Sequence, residues 1–309
     1  MTLIQTLVAP EHILQVSDRR LTYPDGSIAD NSYNKAVSWC NELVIAFTGI
    51  AYIDPGQRKP VSEWIAETLS GVSGDGEEAI EKLRSSAERA VKRLPWPDKR
   101  LTIVISGFVD DARVGRHSVT FTISNFEADG QTFPQHQPAF IRTLNFHPDE
   151  PDRIDYFTSG ATLTIDQRRI ARKRILNAVK RGADWNDVAK RMISLQRVVS
   201  RGNRTVGRDA MVISLPKNSS SPGLMLTDSS SSELNLGAAG FSYVDAGGFS
   251  PRRFGPHFVC GETAYVSYET GSIGPEGGGG PFGRVSGASS TRRLSGFTRF
   301  LTRPAVSRL

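Results

Sequence analysis

Residues 1–22 read MTLIQTLVAPEHILQVSDRRLT. Two apolar-rich runs, residues 2–8 and 12–17, flank the turn-like Ala9-Pro10-Glu11, and the spacing predicts a β-hairpin. The first strand starts directly at Thr2, behind Met1, so the sheet holds that residue from behind. An Asp18-Arg19-Arg20 cluster closes the second strand. A hydroxyl heading a strand so close to the amino end asks for a chemical reason as well as a structural one.

Working outward, residues 35–39 and 43–48 read as a second strand pair around Cys40-Asn41-Glu42, with LVIAF as the continuous apolar run of a buried strand. Helical periodicity follows. Residues 60–70 carry Val61, Trp64, Ile65 and Leu69, and residues 76–94 carry Ala79, Ile80, Leu83, Ala87 and Val91. Acids early and bases late in the second segment suit the helix dipole, and Pro95-Trp96-Pro97-Asp98 stops it. Residues 100–108, 118–125 and, more weakly, 140–146 read as strands, with DDARVG as a connection. After TSGA (158–161), helices are expected over 164–181, with Ile165, Ile170, Ile175 and Ala178, and over 185–199 behind an Asp184-Trp185-Asn186 start signal. DAMVISL (209–215) is a further apolar strand. Strand groups alternating with helix pairs predict a layered α+β domain over residues 1–216. Residues 217–270 read as a serine-rich extension with a β-like patch at 254–268. Residues 271–309 read as a flexible basic Gly/Ser-rich tail, unable to bury enough surface to fold alone.

Charge and composition narrow the function. The chain has 309 residues and a formal charge of +6. Residues 271–309 hold six arginines against one acid, Glu276, and so carry five of those six charges. The rest is nearly neutral and has no aromatic-interleaved basic stripe, which confines any nucleic-acid binding to the tail. No run approaches the ~20 apolar residues of a membrane span, and no basic-then-apolar leader is read at the start. Cys40 and Cys260, the two cysteines, make no disulfide framework, and a reducing cytoplasm is the expected setting. Both read as buried hydrophobes or incidental thiols. The five histidines are scattered without metal spacing. GPEGGGG is no phosphate loop, since no strand leads into it and no Lys-Ser/Thr follows. Neither a metal nor a cofactor is expected.

A nucleophilic hydroxyl needs a base. An amino-terminal threonine supplies its own, an α-amine with an ordinary pKa of about 7.7–8.0 that takes the hydroxyl proton directly or through water. Methionine before a small residue is normally trimmed, which would make Thr2 the first residue.

The motifs that accompany Thr2 are DRRLT (18–22), Lys35 and TGIAYID (48–54). Together they resemble the β-subunits of the proteasome, members of the N-terminal nucleophile hydrolases, whose pattern is Thr, then D-S-R-A-T, Lys and A-G-x-A-A-D. The spacing agrees apart from one extra residue between Asp18 and Lys35. The likeness continues to about residue 216: RLTIVISGFVDD matches the strand ending in GYD, and FTSGA matches G-S-G. The resemblance implies a four-layer αββα sandwich and cleavage of peptide amide bonds in peptide or unfolded protein substrates. It implies a homo-oligomer, commonly a ring. By position, Thr2 would be the nucleophile and Lys35 the cation that eases its deprotonation. Asp18 would orient Lys35, and the Gly49 N–H would stabilise the oxyanion. Ser159 and Gly160 would be the active-site serine and glycine. Arg20 belongs to the matching motif, Thr22 and Ala51 would pair with extended substrate, and Phe47 would line the adjacent pocket. One motif departs: where the family has R-D-x-x-S-G, this chain has SRGNRTVGRDAMVI (200–213), with Asn203 for the aspartate and Val206 for the serine. Thr205 is a substitute one position off. The alternative is therefore a proteasome-fold assembly or binding subunit without catalysis, favoured by Asn203 and Val206 and opposed by the intact Thr2, Asp18, Lys35 and Gly49.

Overall fold

The structure, a computed structural model, describes residues 2–218 except 24, 32, 40–42, 71, 73–75, 112–114, 129–130, 146–149 and 151, and beyond these the backbone of five strands. Met1, Cys40, Cys260 and the tail apart from one strand lie outside the described residues.

The predicted hairpin is present as β1 (Leu3–Val8) and β2 (His12–Asp18), joined by reciprocal Ala9–His12 main-chain bonds. Next come a short half-buried pair, β3 (Leu21–Thr22) and β4 (Ile28–Asp30), then β5 (Ala36–Trp39) and β6 (Leu43–Gly49). Helices α1 (Val61–Leu69) and α2 (Gly76–Lys92) lead into β7 (Leu101–Asp111), β8 (Gly115–Ser124), β9 (Glu127–Ala128), β10 (Gln131–Thr132), β11 (Ile141–Asn145) and β12 (Asp155–Gly160). Helices α3 (Ile165–Lys180) and α4 (Trp185–Gly202) precede β13 (Ala210–Pro216). Beyond lie β14 (Met225–Asp228), β15 (Gly240–Val244), β16 (His257–Val259), β17 (Ser267–Glu269) and β18 (Arg284–Ser286). Among the described residues this is a mixed α+β chain with four helices, and no helix is long and apolar enough to cross a membrane.

Two six-stranded sheets organise it, ordered β12-β1-β2-β13-β15-β14 and β11-β8-β7-β6-β5-β16. Their pairings are antiparallel except β14–β15 and β16–β5. Side-chain alternation explains why LVIAF is apolar throughout. Leu43, Ile45 and Phe47 pack with Val61, Ile65, Leu83 and Ala87 of α1 and α2. Val44 joins Ile13, Met211 and Ile213, and Ala46 joins Ile4, from the other sheet. A strand buried on both faces has no polar face to show. On the first sheet, Leu7, Leu14, Val16 and Val212 pack with Ile175, Val188 and Met192 of α3 and α4. Helix α3 starts with a complete capping box, Thr164 with Gln167, and ends before Gly182 at φ 71°.

Strand registers gather particular termini. Leu3 pairs with Gly160, Asp18 with Ala210, Ala36 with Ala46 and Gly49 with Leu101. The start of β1, the end of β2, the approach to β5 and the ends of β6 and β12 thereby surround Thr2.

Candidate active site

Thr2 is 5% exposed. Its Oγ1 accepts a hydrogen bond from Lys35 Nζ at 2.5 Å. The same ammonium bonds Asp18 Oδ1 at 3.3 Å and the Arg20 carbonyl at 2.5 Å. Lys35 and Asp18 are almost wholly buried, at 3% and 0%. Burial pushes the Lys35 ammonium below its usual range, and the Asp18 carboxylate pulls it back up. A charge pair this deep holds only where every remaining lone pair and proton is used. Here Asp18 Oδ2 accepts Leu3 N–H at 2.8 Å, while Oδ1 also accepts Arg20 N–H at 2.9 Å and Gly207 N–H at 3.0 Å. One carboxylate thus ties the root of β1, its own strand end and the approach to β13 to the lysine.

The main chain of Thr2 is held as tightly. Thr2 N donates to Thr48 Oγ1 at 3.1 Å, and that hydroxyl donates to Thr2 O at 3.1 Å. Thr2 O also accepts Ala161 N–H at 2.8 Å. Gly160, at φ +85°, closes this side: a Cβ there would lie 2.1 Å from Thr2 O and 2.5 Å from Thr48 Oγ1. Gly49, beside Thr48, is constrained likewise: its φ is +108°, and a Cβ there would lie 1.9 Å from the Arg100 carbonyl oxygen.

The structure therefore brings Thr2, Asp18 and Lys35 into one bonded group, with Gly160 packed against the Thr2 carbonyl and Gly49 following Thr48 in β6. Ser159 sits opposite Ile4, with its hydroxyl close enough to the Glu127 carboxylate to favour its charged form. The expected substrate-binding residues are more dispersed. Arg20 extends its guanidinium to Asn31 Oδ1, Arg204 O and Val206 O, bracing the loop before β13. Thr22 pairs with Ile28 on the half-buried β3–β4 ribbon. Phe47 is 2% exposed and meets Tyr33 edge-on, with ring centroids 6.3 Å apart. The Ala51 carbonyl accepts both Tyr33 Oη, at 2.5 Å, and Val61 N–H, at 2.9 Å.

The departing motif also takes a definite place. Asn203 is the C-cap of α4, and its Oδ1 accepts Thr205 N–H at 3.0 Å and Thr205 Oγ1–H at 2.7 Å. Val206 is fully buried with Leu3, Ala161, Leu163 and Val199. This loop reaches the site through the Gly207 N–H.

Two site-building residues were not singled out by the sequence. Thr48 is one, although it lies within a quoted motif, because the motif draws attention to the glycine. Glu127 is the other: its Oε1 accepts Gly160 N–H at 2.8 Å. Nothing in the local spacing of ISNFEADG (123–130) connects it to Thr2, since only the approach of the two sheets does so.

No protein-family model matches the chain, and no curated protein matches it in sequence. Among solved structures it is similar to Anbu (ancestral β-subunit) from Yersinia bercovieri, at TM-score 0.45 and 16% identity, covering 70% of this chain and 81% of that one. It is also similar to an Anbu (Gly-1) mutant from Hyphomicrobium sp. strain MC1, at TM-score 0.43 and 18% identity, covering 69% of this chain and 80% of that one. Likeness at this level assigns no residue a role.

Proposed function

We propose that this chain is a threonine-type N-terminal nucleophile hydrolase that cleaves peptide amide bonds, built as a four-layer αββα sandwich of the proteasome type. The observation that carries the reading is the 2.5 Å bond from the buried Lys35 ammonium to Thr2 Oγ1, with Asp18 bonded behind the lysine. A cation on the hydroxyl oxygen stabilises the alkoxide that forms as the proton leaves.

In the full chain Thr2 N is a peptide amide, so removal of Met1 is the first requirement. The freed amine takes the Thr2 hydroxyl proton, and Oγ1 attacks the substrate carbonyl. The Gly49 N–H stabilises the tetrahedral oxyanion, where losing one such donor typically costs about 2.7–4 kcal/mol. The amine then returns the proton to the leaving amine, the C–N bond breaks, and an ester to Thr2 remains. Water, deprotonated by the same amine, hydrolyses that ester and restores the hydroxyl. Ser159 and Gly160 hold the segment behind Thr2. Arg20, Thr22, Phe47 and Ala51 form the substrate side, and the working unit is a homo-oligomer in the cytoplasm.

The test combines a peptide-amide substrate panel with mass spectrometry after an electrophilic peptide inhibitor. The wild type is expected to gain one adduct on the Thr2 peptide, Thr2→Ala none, and Thr2→Ser to keep part of the turnover. Equal cleavage by Thr2→Ala, or an adduct on Cys40 or Cys260, overturns the assignment. A second reading, a proteasome-fold binding subunit without catalysis, is favoured by Val206, whose side chain is apolar and buried where the family pattern has serine. Retained Met1 in the intact mass would decide for it.

A further inference from the structure

Glu127 stands outside the hydroxyl, lysine and carboxylate set, yet its carboxylate is engaged with the segment behind Thr2. Its own N–H bonds Ser124 Oγ at 2.8 Å, which anchors β9 to the end of β8. Its Oε1 accepts Gly160 N–H at 2.8 Å, and the Thr102 and Ser159 hydroxyls lie close enough to favour its charged form. Each of these groups leads to Thr2. Gly160 is the residue whose Cβ would strike Thr2 O. Ser159 is paired with Ile4, which shares a strand face with Thr2 two residues away. Thr102 is the cross-strand partner of Thr48, whose hydroxyl takes Thr2 N–H.

Burial pushes the Glu127 carboxyl up, while the Gly160 N–H, the nearby Thr102 and Ser159 hydroxyls and Arg168 of α3 favour its charged form. On the other side of Thr2 the charged groups are Lys35, Asp18, Arg20 and, with a smaller influence, Asp30. Arg100, over the Phe126 ring, is held by Asp98.

Resting on the reading of Thr2 as nucleophile, we propose that Glu127 is a positioning residue of the Thr2 site: it clamps the Ser159–Gly160 segment against the Thr2 main chain and adds a second negative charge, besides Asp18, next to the Thr2 amine. With Asn203 neutral at the departing motif, Glu127 balances the amine from the β9–β10 ribbon that follows β8. Its charge favours the ammonium form, against Lys35, which favours the free amine.

The experiment uses the chain beginning at Thr2, verified by intact mass, with Glu127→Gln and Glu127→Asp. Competitive acetylation with acetic anhydride across pH, read on the N-terminal peptide by mass spectrometry, reports amine ionisation independently of turnover. Glu127→Gln keeps an acceptor for Gly160 N–H and removes the charge, so the amine should titrate about one pH unit lower. The acid limb of acylation by an electrophilic peptide should move with it. Glu127→Asp keeps the charge and loosens the clamp, so amine ionisation should hold while acylation slows about tenfold. Identical amine titration in wild type and Glu127→Gln overturns the proposal. If Glu127→Gln does not fold, the aspartate variant decides, and acylation at the wild-type rate overturns it. A wild type that forms no Thr2 adduct, with the amine shift still present in Glu127→Gln, sinks the hydrolase reading and leaves the placement of Glu127 standing.

Discussion

The same two strands, β2 and β13, bury an ionisable group at each end and treat the two in opposite ways. At one end, Asp18 stands opposite Ala210 and carries Lys35. At the other, His12 stands opposite Pro216, stacks on Trp185 with ring centroids 4.5 Å apart, and shares a 2.8 Å bond with Ser214 Oγ. Burial is the leading influence on both bases and pushes both down, His12 to about 4. The difference lies in what opposes it. Lys35 has a carboxylate in hydrogen-bond contact, whereas His12 feels Asp184 only through space. One end is built to keep a charge and the other to keep a neutral ring. A charge maintained at such cost, directly on a hydroxyl, marks where chemistry is to be sought.

The largest expected effect breaks the charged end. Lys35→Ala leaves Asp18 buried without its cation and should cost about 3–5 kcal/mol in denaturant melts, along with activity. A loss below about 0.5 kcal/mol would make Lys35 equivalent to an exposed strand lysine. The same residue has a pH signature. Folded Lys35 holds its proton more weakly than the unfolded chain does, so its penalty is full below its folded pKa. The penalty is relieved as pH rises from there toward about 10.4, the unfolded value. Lys35→Ala should lack that alkaline gain.

The neutral end responds in a lower window. With a folded pKa of about 4 against an ordinary value near 6.5, His12 takes up its proton more readily when unfolded. Stability should fall as pH drops from about 6.5 toward 4, by roughly 3 kcal/mol in all. Urea melts of His12→Gln should lack this component. If the acid loss persists in that variant, it arises from the carboxylates, and the contrast between the two ends dissolves.

The smallest effect sharpens the comparison at the departing motif. Asn203→Asp keeps the oxygen that accepts Thr205 N–H and Oγ1–H. Stability should change by less than about 0.5 kcal/mol. A large gain in acylation with unchanged melting would show that the missing carboxylate, rather than the fold, limits the site.

Much of the architecture is legible locally. The opening hairpin, the four helices and the β5–β6 and β7–β8 pairs follow from periodicity, start signals and turns, and their observed bounds differ from the expected ones by a few residues at most ends. Strand β12 reads locally as the turn TSGA, because Asp155, Thr158 and Ser159 interrupt its apolar character. It is a strand because β1 supplies its ladder from Leu3 to Val8. Strand β16 lies within the β-like patch read over 254–268, but its place beside β5, far back in the chain, and that of β15 beside β13 are set by the sheets. Among the site residues, Asp18 and Lys35 can be picked out by motif, and the structure joins them to Thr2.

By itself the sequence determined where the four helices and the longer apolar strands would form and which side chains were capable of hydroxyl, amine and carboxylate chemistry, since those properties reside in periodicity and functional groups. Only the tertiary structure decided that the Lys35 ammonium rests on the Thr2 oxygen, that Thr48 and Gly160 enclose the Thr2 main chain, and that Glu127 stands behind them. The bonded partners are far apart along the chain, 33 residues between Thr2 and Lys35 and 46 between Thr2 and Thr48. They meet because strand registers and sheet packing bring the ends together, and no local spacing encodes such a distance.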